Sequence, residues 1–187
     1  MQEDIDLALG VLEESIQHSI EHLGKELHKL RAGKATPDMV SGVLVDYYGS
    51  PTPLTQVANV TTSDSKTLVI QPWEKNMLAP IEKAIFEANM GFTPMNDGEV
   101  VRISVPPLTG ERRQQLVKMA KSLGEDAKIS IRNGRHKAMD SVKASVKNGY
   151  PEDAGKRIET DIQNQVNSSN KKVDELISNK EKDIMTI

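Results

Sequence analysis

Residues 99–113 read "EVVRISVPPLTGERR", and this stretch decides the fold. Glu99–Val105 has strand composition, Pro106-Pro107 stops the strand, and Thr109 is a suitable N-cap for a helix. Beyond it, Met119, Leu123, Ala127, Ile131, Gly134, Ala138 and Val142 fall on one helical face. "KNGYPED", Lys147–Asp153, breaks that helix. A third one follows, seamed by Ile158, Ile162, Val166, Val173, Leu176 and Ile184. Working back towards the N-terminus, the texture is β-rich. "VLVDYY" (Val43–Tyr48), "LTQVANVTTSD" and "KTLVIQPW" read as strands, and "GSPTP" reads as a turn. "MLAPIEKAIFEANMG" returns to helical spacing through Ile81, Ile85 and Ala88, with Gly91 as its C-cap. Before Pro37 lies another long helix, striped by Ile5, Leu9, Leu12, Ile16, Ile20, Leu23, Leu27 and Leu30. Over residues 3–31 it would span roughly 43 Å at ~1.5 Å per residue.

The order is therefore helix, inserted β-rich unit, helix, helix. This predicts an α+β protein in which three long helices form an elongated antiparallel three-helix bundle. The expected domains are 1–31 plus 107–187 for the bundle and 32–106 for the inserted β/α/β unit. Two crossings join them. Gly33, Lys34, Pro37, Pro106 and Pro107 are the expected hinge residues.

The chain has 187 residues and a formal net charge of −3. It has no cysteine, so disulfides and cysteine-based zinc sites are excluded, which fits a reducing cytoplasm. The N-terminus "MQEDIDLALG" is acidic and lacks a long apolar run, so no signal peptide is expected. No run approaches the ~18 apolar residues of a membrane span. The net charge hides a segregation. Residues 102–147 hold eleven Lys/Arg against four Asp/Glu, a local +7, while every other segment is acidic. A local basic stripe points to a polyanion better than overall pI does.

On a helical wheel Lys121, Lys128, Arg132 and Arg135 cluster opposite the Leu123/Ile131 seam, flanked by Lys118, His136 and Lys143. Most charge runs are simply solvated faces. An ordinary solvated face, however, mixes signs at i,i+4, and this one hardly does. Arginine also binds phosphate bidentately. With no aromatic residues interleaved, the pattern suits the backbone of structured RNA or a duplex, read by shape. Gly134 in the seam implies close packing against another helix.

Other motifs carry less. "HSIEH" places His18 and His22 at metal-ligand spacing, but both lie opposite the apolar stripe of their helix and no third ligand is identifiable. "AGKAT" (Ala32–Thr36) resembles the end of a phosphate-binding loop but lacks its first glycine and its Ser/Thr after Lys34. No G-x-S-x-G occurs, and nothing points to an enzyme.

The strings "YYGSPTPLTQVANVT", "MLAPIEKAI", "PPLTGERR" and "IRNGRHKAMD", in this order and spacing, resemble the ribosome recycling factor family over essentially the whole chain. That resemblance implies an L-shaped molecule: a three-helix bundle carrying a small β/α/β domain on a flexible elbow. It implies binding to the post-termination ribosome through large-subunit rRNA. It also implies subunit dissociation with elongation factor G and GTP, with no catalysis and no cofactor in the chain itself. By its motifs, Arg113, Arg132 and Arg135 match the family's rRNA-contacting arginines, and "AGKATP" matches its hinge. Ala32 and Lys34 depart from the usual Thr and Arg, Gly110 from Glu and Gly134 from a larger apolar residue. His136 departs from Arg and Lys137 from an acid.

The expected rRNA-binding set is Arg113, Lys121, Lys128, Arg132, Arg135 and His136, with no metal site, in a cytoplasmic monomer. A coiled-coil adaptor or chaperone is the alternative from another class. It would have no need of an unpaired basic face.

Overall fold

A computed structural model describes residues 2–30, 33–88 and 92–186. Among these the elements run α1 (Gln2–Lys29), β1 (Leu44–Tyr47), β2 (Ser50–Pro53), a single helical turn α2 (Leu54–Val57), β3 (Ala58–Asp64) and β4 (Thr67–Pro72). Then come α3 (Leu78–Glu87), β5 (Pro94–Asn96), β6 (Val101–Ser104), α4 (Gly110–Lys147) and α5 (Glu152–Met185). Short 3-10 turns occupy Pro37–Val40 and Lys75–Met77. The chain divides into two compact units, Met1–Arg31 with Gly110–Thr186, and Ala32–Thr109.

In the first unit α4 is the middle helix, packed along both α1 and α5. Its pairing is antiparallel on both sides. Ser130 meets Ser19 and Gly134 meets Leu12, while Lys128 meets Asp174 and Val146 meets Gly155. At 38 residues α4 is roughly 57 Å long, given ~1.5 Å per residue. Such a helix gains its stability from packing rather than propensity. Ile5, Leu12, Ile16, Leu23 and Leu27 of α1 are buried, as are Ala127, Ile131, Ala138 and Val142 of α4 and Ile162, Val166 and Val173 of α5.

Serving two neighbours widens the buried arc of α4, and this displaces the expected seam. Met119 is 46 % exposed and Leu123 is half-buried, while Leu116, Ala120 and Gly124 take the buried positions. Close approach explains the small residues. A Cβ on Gly134 would lie 3.3 Å from Leu12 Cδ1, and one on Gly124 would lie 2.7 Å from Ile177 Cγ1. The α4–α5 corner is a Schellman turn. Gly149 takes φ 102°, its N–H donates to Val146 O at 3.0 Å, and Tyr150 N–H donates to Ser145 O at 3.0 Å.

The second unit holds a four-stranded antiparallel sheet in the order β3-β4-β6-β5 and a separate β1-β2 hairpin. Leu68 pairs with Ile103 and Ile70 with Val101, and all four are fully buried alongside Val45, Leu54 and Ile81. Three local readings differ from expectation. "GSPTP" is not simply a turn: Ser50–Pro53 pairs with Leu44–Tyr47. Each strand of a two-stranded ribbon has a free edge, so Pro51 and Pro53 can sit there without breaking a ladder. The reversal falls one step earlier, at Tyr48 (φ 50°) and Gly49 (φ 86°), a two-residue turn with both central residues left-handed. Asp46 Oδ1 accepts the Gly49 N–H at 2.8 Å and fixes that turn. Leu54–Val57 is a helical turn rather than the start of a strand, and Pro94–Asn96 adds an edge strand that periodicity cannot reveal in so short a run. The expected C-cap Gly91 lies outside the described residues.

Candidate nucleic-acid interface

The basic residues of α4 occupy two different environments. Lys121 Nζ lies 3.0 Å from Glu181 Oε1, and Lys128 Nζ lies 2.6 Å from Asp174 Oδ1, both acids supplied by α5. The shortage of acidic partners along α4 itself is thus partly made good by its neighbour. Arg113, in the first turn of α4, donates from Nη1 to the Met185 carbonyl at 3.0 Å and so ties the two helix ends together.

Further along, the partners cease to be acidic. Arg135 Nε donates to Gln163 Oε1 at 2.8 Å, and Gln163 Nε2 donates to Asn167 Oδ1 at 2.8 Å. Arg135 is half-buried at the α4/α5 boundary, not wholly on the outer face as the wheel implies. Arg132, His136 and Lys143 are exposed and make no side-chain hydrogen bond or ion pair among the described residues. Charge on this half of the helix is therefore available to an external anion, and guanidinium groups suit phosphate oxygens.

The six residues of the expected rRNA-binding set all lie on α4, yet the structure separates them. Arg132, Arg135 and His136 stand within one helical turn, Lys121 and Lys128 are neutralised by carboxylates, and Arg113 sits at the distant N-terminal end. Sequence reasoning did not reach Gln163, Asn167, Asp174 and Glu181. They belong to another helix, and only the antiparallel register brings them alongside α4.

The other candidates gain little. His18 and His22 are exposed, and among the described residues no group of three or more His, Asp or Glu is placed to hold a metal ion. No helix among the described residues is long and apolar enough to cross a membrane. At the two ends of the second unit, Ala35 N–H donates to Ser65 O at 2.9 Å and Val105 N–H to Lys66 O at 2.7 Å. The β3–β4 turn thus anchors both the incoming and the outgoing chain. Just outside these anchors lie Gly33, at φ 75° in the left-handed region, exposed Lys34, and Pro106-Pro107, which offer no N–H to a ladder.

Comparison with known proteins agrees with this architecture. The sequence profile of the ribosome recycling factor family matches residues 23–185. A ribosome-recycling factor of Flavobacterium johnsoniae is 54 % identical over 187 residues, covering 100 % of both chains. That of Staphylococcus epidermidis is 48 % identical over 173 residues, covering 92 % of this chain and 94 % of its own. The solution structure of a ribosome recycling factor superimposes with a TM-score of 0.77 at 30 % identity, covering 98 % of each chain. The second solved structure has the T. thermophilus ribosome recycling factor and E. coli elongation factor G bound to the E. coli post-termination complex. It gives a TM-score of 0.62 at 37 % identity, covering 97 % of this chain and 98 % of that one.

Proposed function

The chain belongs to the ribosome recycling factor family, and from that premise we propose that it binds the post-termination ribosome and, with elongation factor G and GTP, promotes dissociation into subunits. The observation that carries the reading is the second half of α4, where Arg132, Arg135 and His136 have no acidic partner. The bundle, residues 1–31 and 107–187, docks on large-subunit rRNA through phosphate contacts from α4. Arg132, Arg135 and His136 make the principal contacts. Arg113, held by a neutral carbonyl, adds to the surrounding positive field, and Lys121 and Lys128, paired with Glu181 and Asp174, lie at its periphery and contribute little. The inserted unit, residues 32–106, transmits the push of the partner factor. The bend is taken up at Gly33, Lys34, Pro106 and Pro107, which lie just outside the backbone held by the β3–β4 turn. Pro37 instead opens the 3-10 turn Pro37–Val40 and stiffens the incoming link on the inner side of the Ala35 anchor.

The protein is a cytoplasmic monomer that does its work mechanically. GTP is hydrolysed by the partner, and the chain itself catalyses nothing. No cofactor is required. Light scattering of 70S ribosomes carrying deacylated tRNA tests this. Addition of the protein with elongation factor G and GTP should lower the scattering as subunits separate, whereas either factor alone should not. Unchanged scattering with all components present would overturn the reading.

A further inference from the structure

The cations of α4 differ in the charge of the group that holds them. Glu181 and Asp174 hold Lys121 and Lys128, and each carboxylate cancels the charge it orients. Arg135 is held by an amide. We infer that Gln163, itself oriented by Asn167, is a positioning residue that pre-organises the Arg135 guanidinium for a phosphate without neutralising it. The inference rests on the reading of α4 as the phosphate-binding face.

The geometry supplies the argument. Gln163 Nε2 donates to Asn167 Oδ1 at 2.8 Å, which turns Oε1 towards α4. Oε1 then accepts Arg135 Nε at 2.8 Å in a partly buried position. This uses one of the five N–H groups of the guanidinium, and no Nη atom makes a hydrogen bond among the described residues. The Nη atoms are the ones that form a fork with a phosphate. An arginine left free must order several side-chain torsions on binding, and here part of that ordering is already done in the free protein. A glutamate in place of Gln163 would hold the same geometry while cancelling the charge.

Two measurements test the inference, one of them without the ribosome. In the free protein the Arg135 Nε–Hε group should exchange with solvent more slowly than that of exposed Arg132 in NMR spectra. Gln163→Leu should abolish the difference. Equal exchange in the parent would overturn the inference. Second, binding to 70S ribosomes should weaken about three- to tenfold in Gln163→Leu, the scale of one immobilised long side chain. It should weaken no further when Gln163→Leu is added to Arg135→Ala. Gln163→Glu should keep the slow exchange yet also weaken binding.

If Arg135→Ala weakens binding but Gln163→Leu does not, the phosphate reading stands and the positioning role is overturned. If Gln163→Leu weakens binding equally with and without Arg135, its role does not pass through the arginine and the inference is again overturned. If Arg135→Ala binds as the parent does, the underlying reading has failed and this inference goes with it. Intact melting temperatures in all variants keep these outcomes separate from unfolding.

Discussion

In the first half of α4, Lys121 and Lys128 each meet a carboxylate of α5, at 3.0 Å and 2.6 Å. In the second half, Arg135 meets an amide oxygen at 2.8 Å, and Arg132, His136 and Lys143 make no side-chain hydrogen bond or ion pair among the described residues. The two halves look alike as a run of cations. They differ in how much of that charge is left for another molecule, because α5 answers Lys121 and Lys128 with acids, whereas it offers Arg135 only an amide. The number of cations on a helix therefore says less than the identity of whatever faces each one.

The strongest attempt to break this contrast is a salt series. If the second half makes about four phosphate contacts, a roughly fourfold rise in salt should lower ribosome affinity about a hundredfold by counterion release. Co-sedimentation with 70S ribosomes measures it, and a flat response would remove phosphate from the account. Next in size is Arg135→Ala. A charge-assisted contact contributes about 1.5–3 kcal/mol, so the variant should bind roughly tenfold or more weakly. Its melting temperature should stay close to the parent's, since the side chain is only half-buried. Arg135→Lys should recover only part of the loss, because ammonium has no planar fork.

Lys128→Ala sharpens the comparison from the other side. Its charge is already paired, so affinity should change less than about threefold, and stability should fall by the ~0.2–1 kcal/mol typical of exposed pairs. A loss as large as that of Arg135→Ala would erase the distinction between the halves. The smallest effect is expected for His22→Ala. This residue is exposed on α1, away from the basic helix, and both binding and thermal melting should match the parent.

Much of the architecture was legible in the sequence. Buried Ile5, Leu12, Ile16, Leu23 and Leu27 recur at spacings that only a helix places on one side, and Pro106-Pro107 cannot continue a strand ladder. These signals act within one or two turns of chain, so no tertiary knowledge is needed to read them. Where local signals compete, the reading slipped. Prolines at 51 and 53 suggested a turn, yet each strand of a two-stranded hairpin has a free edge where a missing N–H costs nothing, and the strand formed.

The basic segment itself was also visible, as eleven cations against four acids in residues 102–147. The sequence by itself determined that these cations share one helix and that this helix has an outer face. Tertiary structure alone decided which of them remain available. Glu181, Asp174 and Gln163 lie between 28 and 60 residues away along the chain from the cations they meet. Helical periodicity is blind to that distance. The antiparallel register of α4 and α5 sets each partner, and that register depends on close approach at Gly124 and Gly155, where a Cβ would fall 2.7 Å from Ile177 and 2.5 Å from Val146. Side-chain packing between helices, not the pattern along either one, distributes the charge.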